Sequence, residues 1–138
     1  RFDMAYIDEK GRKRRPYMIH RALLGSIERF IGVLLEHYAG ALPPWLSPTQ
    51  VWVIPIGADH QKYAQEIKKE LNSFRVEVKD ENETVSKKIR DGELRKIPYM
   101  LVVGSEEIKD KSVRMRQRGK GDVGKMKLNE FVKNYGKT

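Results

Sequence analysis

The central stretch of this sequence is Pro98-Tyr99-Met100-Leu101-Val102-Val103, a near-continuous apolar run. Such a run is typical of a strand that is buried on both faces of a sheet. Two further strands are predicted upstream: Val51–Ile54 is strongly apolar, and Arg75–Val78 alternates between polar and apolar residues. Together these segments predict three strands of one sheet.

The two segments between these strands have the residue spacing of amphipathic helices. One helix is predicted to begin at Asp59, and another to span Thr84 to Lys96. Their inward residues recur at spacings of three and four. They are Tyr63, Ala64, Ile67 and Leu71 in the first helix, and Val85, Ile89 and Leu94 in the second. The order strand–helix–strand–helix–strand predicts an α/β fold with a partly parallel sheet.

The C-terminal part adds a polar alternating strand, Ser112–Gln117, and a short helix. The apolar residues that predict the helix are Leu128, Phe131, Val132 and Tyr135. A row of alternating cations runs along the strand: Arg114, Arg116, Arg118 and Lys120. This row has two interpretations, a track for phosphates or an edge strand protected by charge.

The N-terminal part predicts a hairpin followed by a long amphipathic helix. The hairpin strands are expected at 2–8 and 16–20, with a turn near Gly11. The helix has apolar residues on one face from Ile27 to Tyr38, Ser26 placed to cap its start, and Gly40 placed to end it. We expect this apolar face to be partly exposed and prone to association.

A proline-rich segment separates these two patterns. Pro43, Pro44 and Pro48 lie within six residues and cannot continue a helix or lie in a central strand. The predicted domains are therefore residues 1–46 and 47–138.

Composition limits the possible functions. The 138 residues carry 28 Lys and Arg against 19 Asp and Glu, a net charge of +9, and no cysteine. The segment from Lys109 to Thr138 has 10 basic and 3 acidic residues, so the charge leaves nucleic-acid binding and simple solubilisation equally open. Disulfides and thiolate metal sites within the chain are excluded.

The sequence also bears on where the chain works. No stretch approaches the ~20 apolar residues of a membrane span, and the first residues do not resemble a signal peptide. We therefore expect a cytoplasmic protein without a membrane partner. Because position 1 is arginine, the chain is expected to be part of a longer protein.

Five collinear segments carry a family resemblance: Met18–Phe30, Glu36–Gly40, Pro44–Val51, Ile97–Gly104 and Arg118–Gly124. The first looks like the third signature motif of class II aminoacyl-tRNA synthetases. The others resemble the threonine-specific family of that class, and the resemblance covers essentially the whole chain. It implies an α/β protein in which a hairpin and a long helix, from the end of the catalytic domain, precede an anticodon-binding domain. That domain is expected to be a mixed sheet wrapped by helices.

The resemblance implies roles for three N-terminal residues. Arg29 matches the arginine that contacts ATP phosphates, and Ser26 matches a position close to the substrate. His20 matches one of three zinc ligands that bind the amino and hydroxyl groups of threonine. The other two ligands are not matched here, so we expect no tight zinc binding by this chain alone. From the residues alone, ordinary surface or core positions are favoured for both Arg29 and His20.

In the C-terminal domain the resemblance maps anticodon contacts onto Asn82, Lys96, Glu107 and Arg116. The amide of Asn82 can pair with a base edge, Glu107 can accept from a guanine amino group, and Arg116 can donate twice to guanine or phosphate. Lys96 cannot make a forked contact, which favours a phosphate partner. Alternatively, Lys96 and Glu107 are solvated charges, and Asn82 shapes a turn.

The implied whole protein is a threonine–tRNA ligase, a homodimer that uses threonine, threonine tRNA, ATP with magnesium, and zinc. The first and second signature motifs have no match in this chain, so we expect it to bind tRNA without charging it. Two alternatives remain open. One is a non-catalytic nucleic-acid-binding paralogue, which should have lost Arg29 and His20. The other is a synthetase for another amino acid of the subgroup, which the His20 match disfavours.

Overall fold

The structure is a computed structural model that describes residues 3–136. The chain divides into two compact units, one ending at Val33 and one beginning at Leu34. In chain order the elements are β1 (Tyr6–Ile7), β2 (Lys13–Arg14), α1 (Ile27–His37), β3 (Val51–Pro55), a 3-10 turn (Ala58–His60), α2 (Gln61–Glu70), β4 (Val76–Val78), α3 (Val85–Leu94), β5 (Tyr99–Val103), α4 (Ser105–Lys109), β6 (Ser112–Gln117), β7 (Gly121–Lys127) and α5 (Leu128–Tyr135).

The second unit is built on one mixed sheet with the strand order β4-β3-β5-β6-β7. Strand β3 runs parallel to β4 and β5, whereas β5–β6 and β6–β7 are antiparallel pairs. Helices α2 and α3 make the two crossovers. Strands β3 and β5 are buried at every position, because helices cover both faces of parallel strands. The predicted α/β fold with a mixed sheet is confirmed.

Helices α2 and α5 cover one face of this sheet. Phe131 lies at the centre of that core, and its ring centroid is 5.5 Å from Phe74, 5.7 Å from Tyr99 and 5.3 Å from Tyr135. The other members come from all five strands and from both helices: Val51, Val53, Ala64, Ile67, Leu71, Leu101, Val103, Val113, Met115 and Leu128, with Val76, Val78 and Met126 partly buried beside them. The predicted inward face of α2 is thereby confirmed.

Helix α3 covers the opposite face, where Val85 and Ile89 pack on a smaller cluster that includes Trp52 and Met100. The Trp52 indole donates to Glu77 Oε2 at 3.0 Å. The prediction that Leu94 faces inward was wrong, since this side chain is 67% exposed. Helix α3 ends at Leu94, and the chain turns away there to begin β5.

Gly92 lets α3 approach the sheet closely. A Cβ at this position would lie 2.4 Å from Met100 Sδ and 3.1 Å from Trp52 Cε3. We therefore expect Gly92→Ala to lower the free energy of unfolding by about 1–3 kcal/mol through overpacking, as measured by urea denaturation. Gly32→Ala is the matched control, since nothing lies within 4 Å of a Cβ there and alanine favours the helix. Equal effects of the two substitutions would contradict the close approach.

The N-terminal hairpin is shorter than predicted. Tyr6 pairs with Arg14, and Ile7 with Lys13, so the prediction of a returning strand at 16–20 was wrong; Phe2, also predicted in the first strand, lies outside the described residues. Asp8 explains the shift, because its Oδ1 accepts the backbone N–H groups of Lys10 and Arg12, each at 2.9 Å. The Arg12 hydrogen bond is the main reason that the pKa of Asp8 is lowered.

Helix α1 has the predicted start and end. Ser26 Oγ accepts the Arg29 N–H at 3.3 Å, and Gly40 adopts a φ of 75° while its N–H donates to Leu35 O. Its apolar side chains are exposed or half-exposed, as predicted: Ile27, Phe30, Ile31, Leu35 and Tyr38. No helix among the described residues is long and apolar enough to cross a membrane.

Candidate nucleic-acid interface

Strand β6 places two arginines on the α3 side of the sheet. Its alternation sends Val113 and Met115 into the core beneath α2 and α5. Arg114 and Arg116 therefore project to the other side, where they pair in register with Val102 and Met100 of β5. Because β6 lies between β5 and β7, its interpretation as an edge strand protected by charge was wrong.

A small open cavity of about 260 Å³ lies where α3 ends beside β6. Five polar residues line it together with apolar neighbours: Glu93, Lys96, Arg116, Gln117 and Arg118. Arg116 Nη2 is 3.4 Å from Glu93 Oε1, a long and therefore weak hydrogen bond. The structure thus brings two predicted anticodon residues, Lys96 and Arg116, to one place.

Two residues that line this cavity each carry a buried polar side-chain atom with no hydrogen-bond partner among residues 3–136. The two atoms are Arg116 Nε, a donor, and Gln117 Oε1, an acceptor. Leaving such groups unpaired costs about 1–3 kcal/mol each. Because both atoms are buried, a ligand that donates and accepts could satisfy them only after these side chains move.

Lys96 has an unusual backbone conformation at the rim of the cavity. Its φ is 59°, a left-handed value that costs a non-glycine residue about 1–3 kcal/mol. Arg118 holds this turn, since Nη1 donates to Lys96 O at 2.6 Å and Nη2 donates to Leu42 O at 2.7 Å. Burial lowers the pKa of Arg118. Arg118 therefore supports the site rather than presenting a free cation.

The predicted row of cations is largely paired within the protein. Arg114 donates to Asp122 Oδ2 from both Nε and Nη2, at 2.9 and 2.7 Å. The hydrogen bond from Arg114 is the main reason that the pKa of Asp122 is lowered. Of the strand's two arginines, Arg116 has the weaker partner and is the one available to an external acceptor.

The other two predicted residues follow the carboxyl ends of the parallel strands, whereas Arg116 pairs near the amino end of β5. Asn82 is exposed in the segment that follows β4, and Glu107 is in α4, which follows β5. Because β4 and β5 are both parallel to β3, both segments leave the sheet at the same end, where the parallel strands have their carboxyl termini. Ligands of parallel sheets commonly bind outside such carboxyl ends.

Glu107 is buried, and its Oε2 accepts the Gly104 N–H at 2.9 Å. This bond satisfies the N-terminus of α4. A contact from Glu107 to a guanine amino group remains a prediction, and it would need the other carboxylate oxygen.

Two site residues were not predicted from the sequence. Gln117 follows Arg116 directly, so strand alternation alone assigns it to the other face. Glu93 reads as one of several charges on the polar side of α3. Its three-residue spacing from Lys96 was the one available signal, because residues so spaced at a helix end lie close together.

The residues matched to the catalytic domain lie in the first unit. Arg29 is exposed on α1, His20 is exposed in a segment without regular structure, and Ser26 caps α1. Residues 3–136 contain no group of three His, Cys, Asp or Glu placed to hold a metal. A zinc ion needs at least three protein ligands, so His20 and the other described residues do not fit a zinc site by themselves.

Comparison with known families gives two matches. Residues 50–137 match the family model "Anticodon binding domain", and residues 1–38 match "tRNA synthetase class II core domain (G, H, P, S and T)".

Curated relatives resemble nearly the whole chain. It is 58% identical to the threonine–tRNA ligase of Sulfurihydrogenibium sp. (strain YO3AOP1) over 96% of its length, and 52% identical to that of Clostridioides difficile (strain 630) over 99%. The chain spans about a fifth of the length of these relatives, 21% and 22%.

Solved structures agree with this similarity. The RNA binding domain of threonyl-tRNA synthetase from Cryptosporidium parvum Iowa II superposes with a TM-score of 0.77 at 37% identity. The match covers 99% of this chain and 35% of that one. A prolyl-tRNA synthetase from the same organism shares the fold, with a TM-score of 0.66 at 24% identity over 96% of this chain and 29% of that one.

Proposed function

Since this chain belongs to the anticodon-binding domain family, we propose that residues 47–138 bind the anticodon of a threonine tRNA. The observation that carries the proposal is the cavity beside β6, which Arg116 and Lys96 line together. Two buried atoms of its lining residues, Arg116 Nε and Gln117 Oε1, lack hydrogen-bond partners within residues 3–136. Unpaired bases in RNA loops expose both donors and acceptors. The identity of the tRNA follows from the threonine–tRNA ligases that the chain resembles.

We assign the four predicted residues to two ends of one surface. Arg116 and Lys96 act at the cavity, where the guanidinium can donate twice to a base edge or a phosphate. Asn82 and Glu107 act at the end of the sheet that lies beyond the carboxyl termini of β4 and β5. A single-stranded loop lying along the α3 side of the sheet would meet these groups in succession.

We further propose that the chain is part of a threonine–tRNA ligase, with domains at residues 1–46 and 47–138. ATP with magnesium would activate the threonine carboxyl group in that enzyme, with Arg29 binding phosphate oxygens and Ser26 close to the substrate. His20 would be one zinc ligand, together with ligands that these 138 residues do not supply. Homodimer formation and a cytoplasmic location belong to the same proposal.

The ligase is favoured over a non-catalytic nucleic-acid-binding paralogue. The relatives described above are ligases, and the chain keeps both Arg29 and His20. This chain by itself is proposed to bind tRNA without aminoacylating it.

Binding to an anticodon stem-loop tests the proposal. The 138-residue chain is titrated with the stem-loop of a threonine tRNA and with stem-loops whose second or third anticodon base is changed, at two salt concentrations. We expect the base changes to weaken binding by about tenfold or more, since one good base contact provides about 1–3 kcal/mol of discrimination. Equal and steeply salt-dependent binding to all stem-loops would show phosphate attraction alone and would overturn the proposal.

A further inference from the structure

Lys88 is a buried lysine in the middle of α3. It is 5% exposed, and no other lysine among the described residues falls in the buried class. Burying a charged side chain is costly unless it is paired, and an apolar side chain of similar size often serves packing equally well. A lysine at this position therefore needs an explanation beyond packing.

The Lys88 side chain holds the backbone of the segment that carries Asn82. Lys88 Nζ donates to the carbonyl oxygen of Lys79 at 2.8 Å. Lys79 is the first residue after β4, and its own N–H donates to Val53 O at 2.9 Å. Lys79, the residue at which the chain leaves the sheet, is thereby held by β3 through its N–H group and by α3 through its carbonyl oxygen.

Side-chain contacts fix the two ends of the same segment. Lys79 Nζ lies 3.2 Å from Glu77 Oε1 and 2.5 Å from Glu81 Oε1. At the other end, Thr84 Oγ1 accepts the Lys87 N–H at 3.3 Å and so caps α3. Asn82 is exposed between these two anchors.

We propose that Lys88 is a positioning residue for base readout. Its hydrogen bond to the Lys79 carbonyl sets the path of residues 79–84, and that path presents the Asn82 amide to an unpaired base. Lys88 does not contact RNA itself, because its side chain is buried. The proposal rests on the proposed anticodon binding, and it adds a residue that acts through Asn82.

A double-mutant cycle tests this role. Lys88→Met, Asn82→Ala and the double variant are compared in their discrimination between the native stem-loop and those with one changed base. We expect each single substitution to lower discrimination at the same base by about tenfold, and the double substitution to lower it no further. The salt dependence of binding should stay unchanged in Lys88→Met, because no phosphate contact is lost.

Lys87→Met is the matched control. Lys87 is the neighbouring, exposed lysine on α3, and it pairs with Glu83 at 2.5 Å. This substitution removes the same charge without touching the Lys79 carbonyl, so discrimination should persist. Lys88→Arg, which keeps a donor, should recover part of the discrimination lost in Lys88→Met.

The outcomes separate the two proposals. If the wild-type chain shows no base discrimination, the proposal of anticodon readout is overturned, and so is the proposed role of Lys88. If the wild-type chain discriminates but Lys88→Met does so equally well, the role of Lys88 alone is overturned. Independent, additive effects of the Lys88 and Asn82 substitutions would also overturn it.

Hydrogen exchange in the wild-type chain gives a second test that does not depend on the folding of any variant. The amides of Lys79 and Glu83 donate to Val53 O and Glu81 O. If Lys88 fixes this segment before RNA binds, both amides should be protected in the free chain. Unprotected exchange at both would contradict a preset segment.

Discussion

Arg116→Ala is expected to reduce the preference for the native anticodon stem-loop over base-changed stem-loops by about ten- to a hundredfold. Two guanidinium groups line the cavity beside β6, and that of Arg118 already donates to Lys96 O and Leu42 O. The Arg116 guanidinium can donate to two acceptors of a base, and a good bidentate pair provides about 1–3 kcal/mol of discrimination. Its Nε has no partner among residues 3–136, and its bond to Glu93 is long. Little internal bonding therefore has to be broken when RNA binds. Titration of both kinds of stem-loop measures the effect.

Arg114→Ala is the matched control for this substitution. Arg114 lies two residues away on the same strand and the same side of the sheet, and it is bound to Asp122. Both substitutions remove one positive charge, so both should weaken salt-dependent attraction to phosphates to a similar extent. Only Arg116→Ala should change base preference. If both variants, or neither, lose the preference for the native stem-loop, the assignment of base readout to Arg116 is contradicted.

Phe131→Ala is expected to lower the free energy of unfolding by about 3–5 kcal/mol. The side chain is completely buried, and its ring contacts three other aromatic rings from different parts of the chain. Alanine would remove those contacts and leave a cavity between α5 and the sheet. Urea denaturation followed by circular dichroism measures the change.

Phe131→Leu separates the loss of volume from the loss of aromatic geometry. Leucine fills most of the space, so we expect the smaller cost of a core substitution that nearly conserves volume, below about 1.5 kcal/mol. A loss of less than 1 kcal/mol in Phe131→Ala would mean that α5 contributes little to the core, contrary to the burial of Phe131.

Apolar pattern was sufficient to predict the parallel part of the sheet. Strands β3 and β5 are buried on both faces, so their sequences are apolar at nearly every position and stand out from the rest. Helices α2 and α3 have one buried face each, and their three- and four-residue spacing shows it. Leu94 was the exception, because periodicity does not indicate where a helix leaves the sheet.

Three elements lacked such a signal. Helix α4 has five residues, too few for periodicity. Strand β7 has the sequence Gly-Asp-Val-Gly-Lys-Met-Lys, and its register is irregular where Met115 and Arg116 pair with Gly124 and Asp122. Gly124 has a φ of 106°, which is typical of a bulge and not of a regular alternating strand. The hairpin was misplaced because hydrogen bonds accepted by one side chain, that of Asp8, set its register.

The candidate site was predictable as residue types but not as an arrangement. Family resemblance assigned Asn82, Lys96, Glu107 and Arg116, and the structure places Lys96 and Arg116 together at one cavity. Glu93, Gln117 and Lys88 were not predicted, because their importance comes from contacts across the fold. Lys88 in particular reads as one lysine among many until its burial is known.

The strand order also determines how the molecule assembles. A tight turn connects the paired strands β6 and β7. In contrast, β3 pairs with a strand that is distant in the sequence, since Val51 of β3 lies opposite Tyr99 of β5. Closing so long a loop costs conformational entropy before any pairing repays it, and folding rates fall as contacts become less local. We therefore expect the pairing of β3 with β5 to be a late step of folding. Trp52 lies on β3, so its fluorescence in a stopped-flow experiment would report this pairing step.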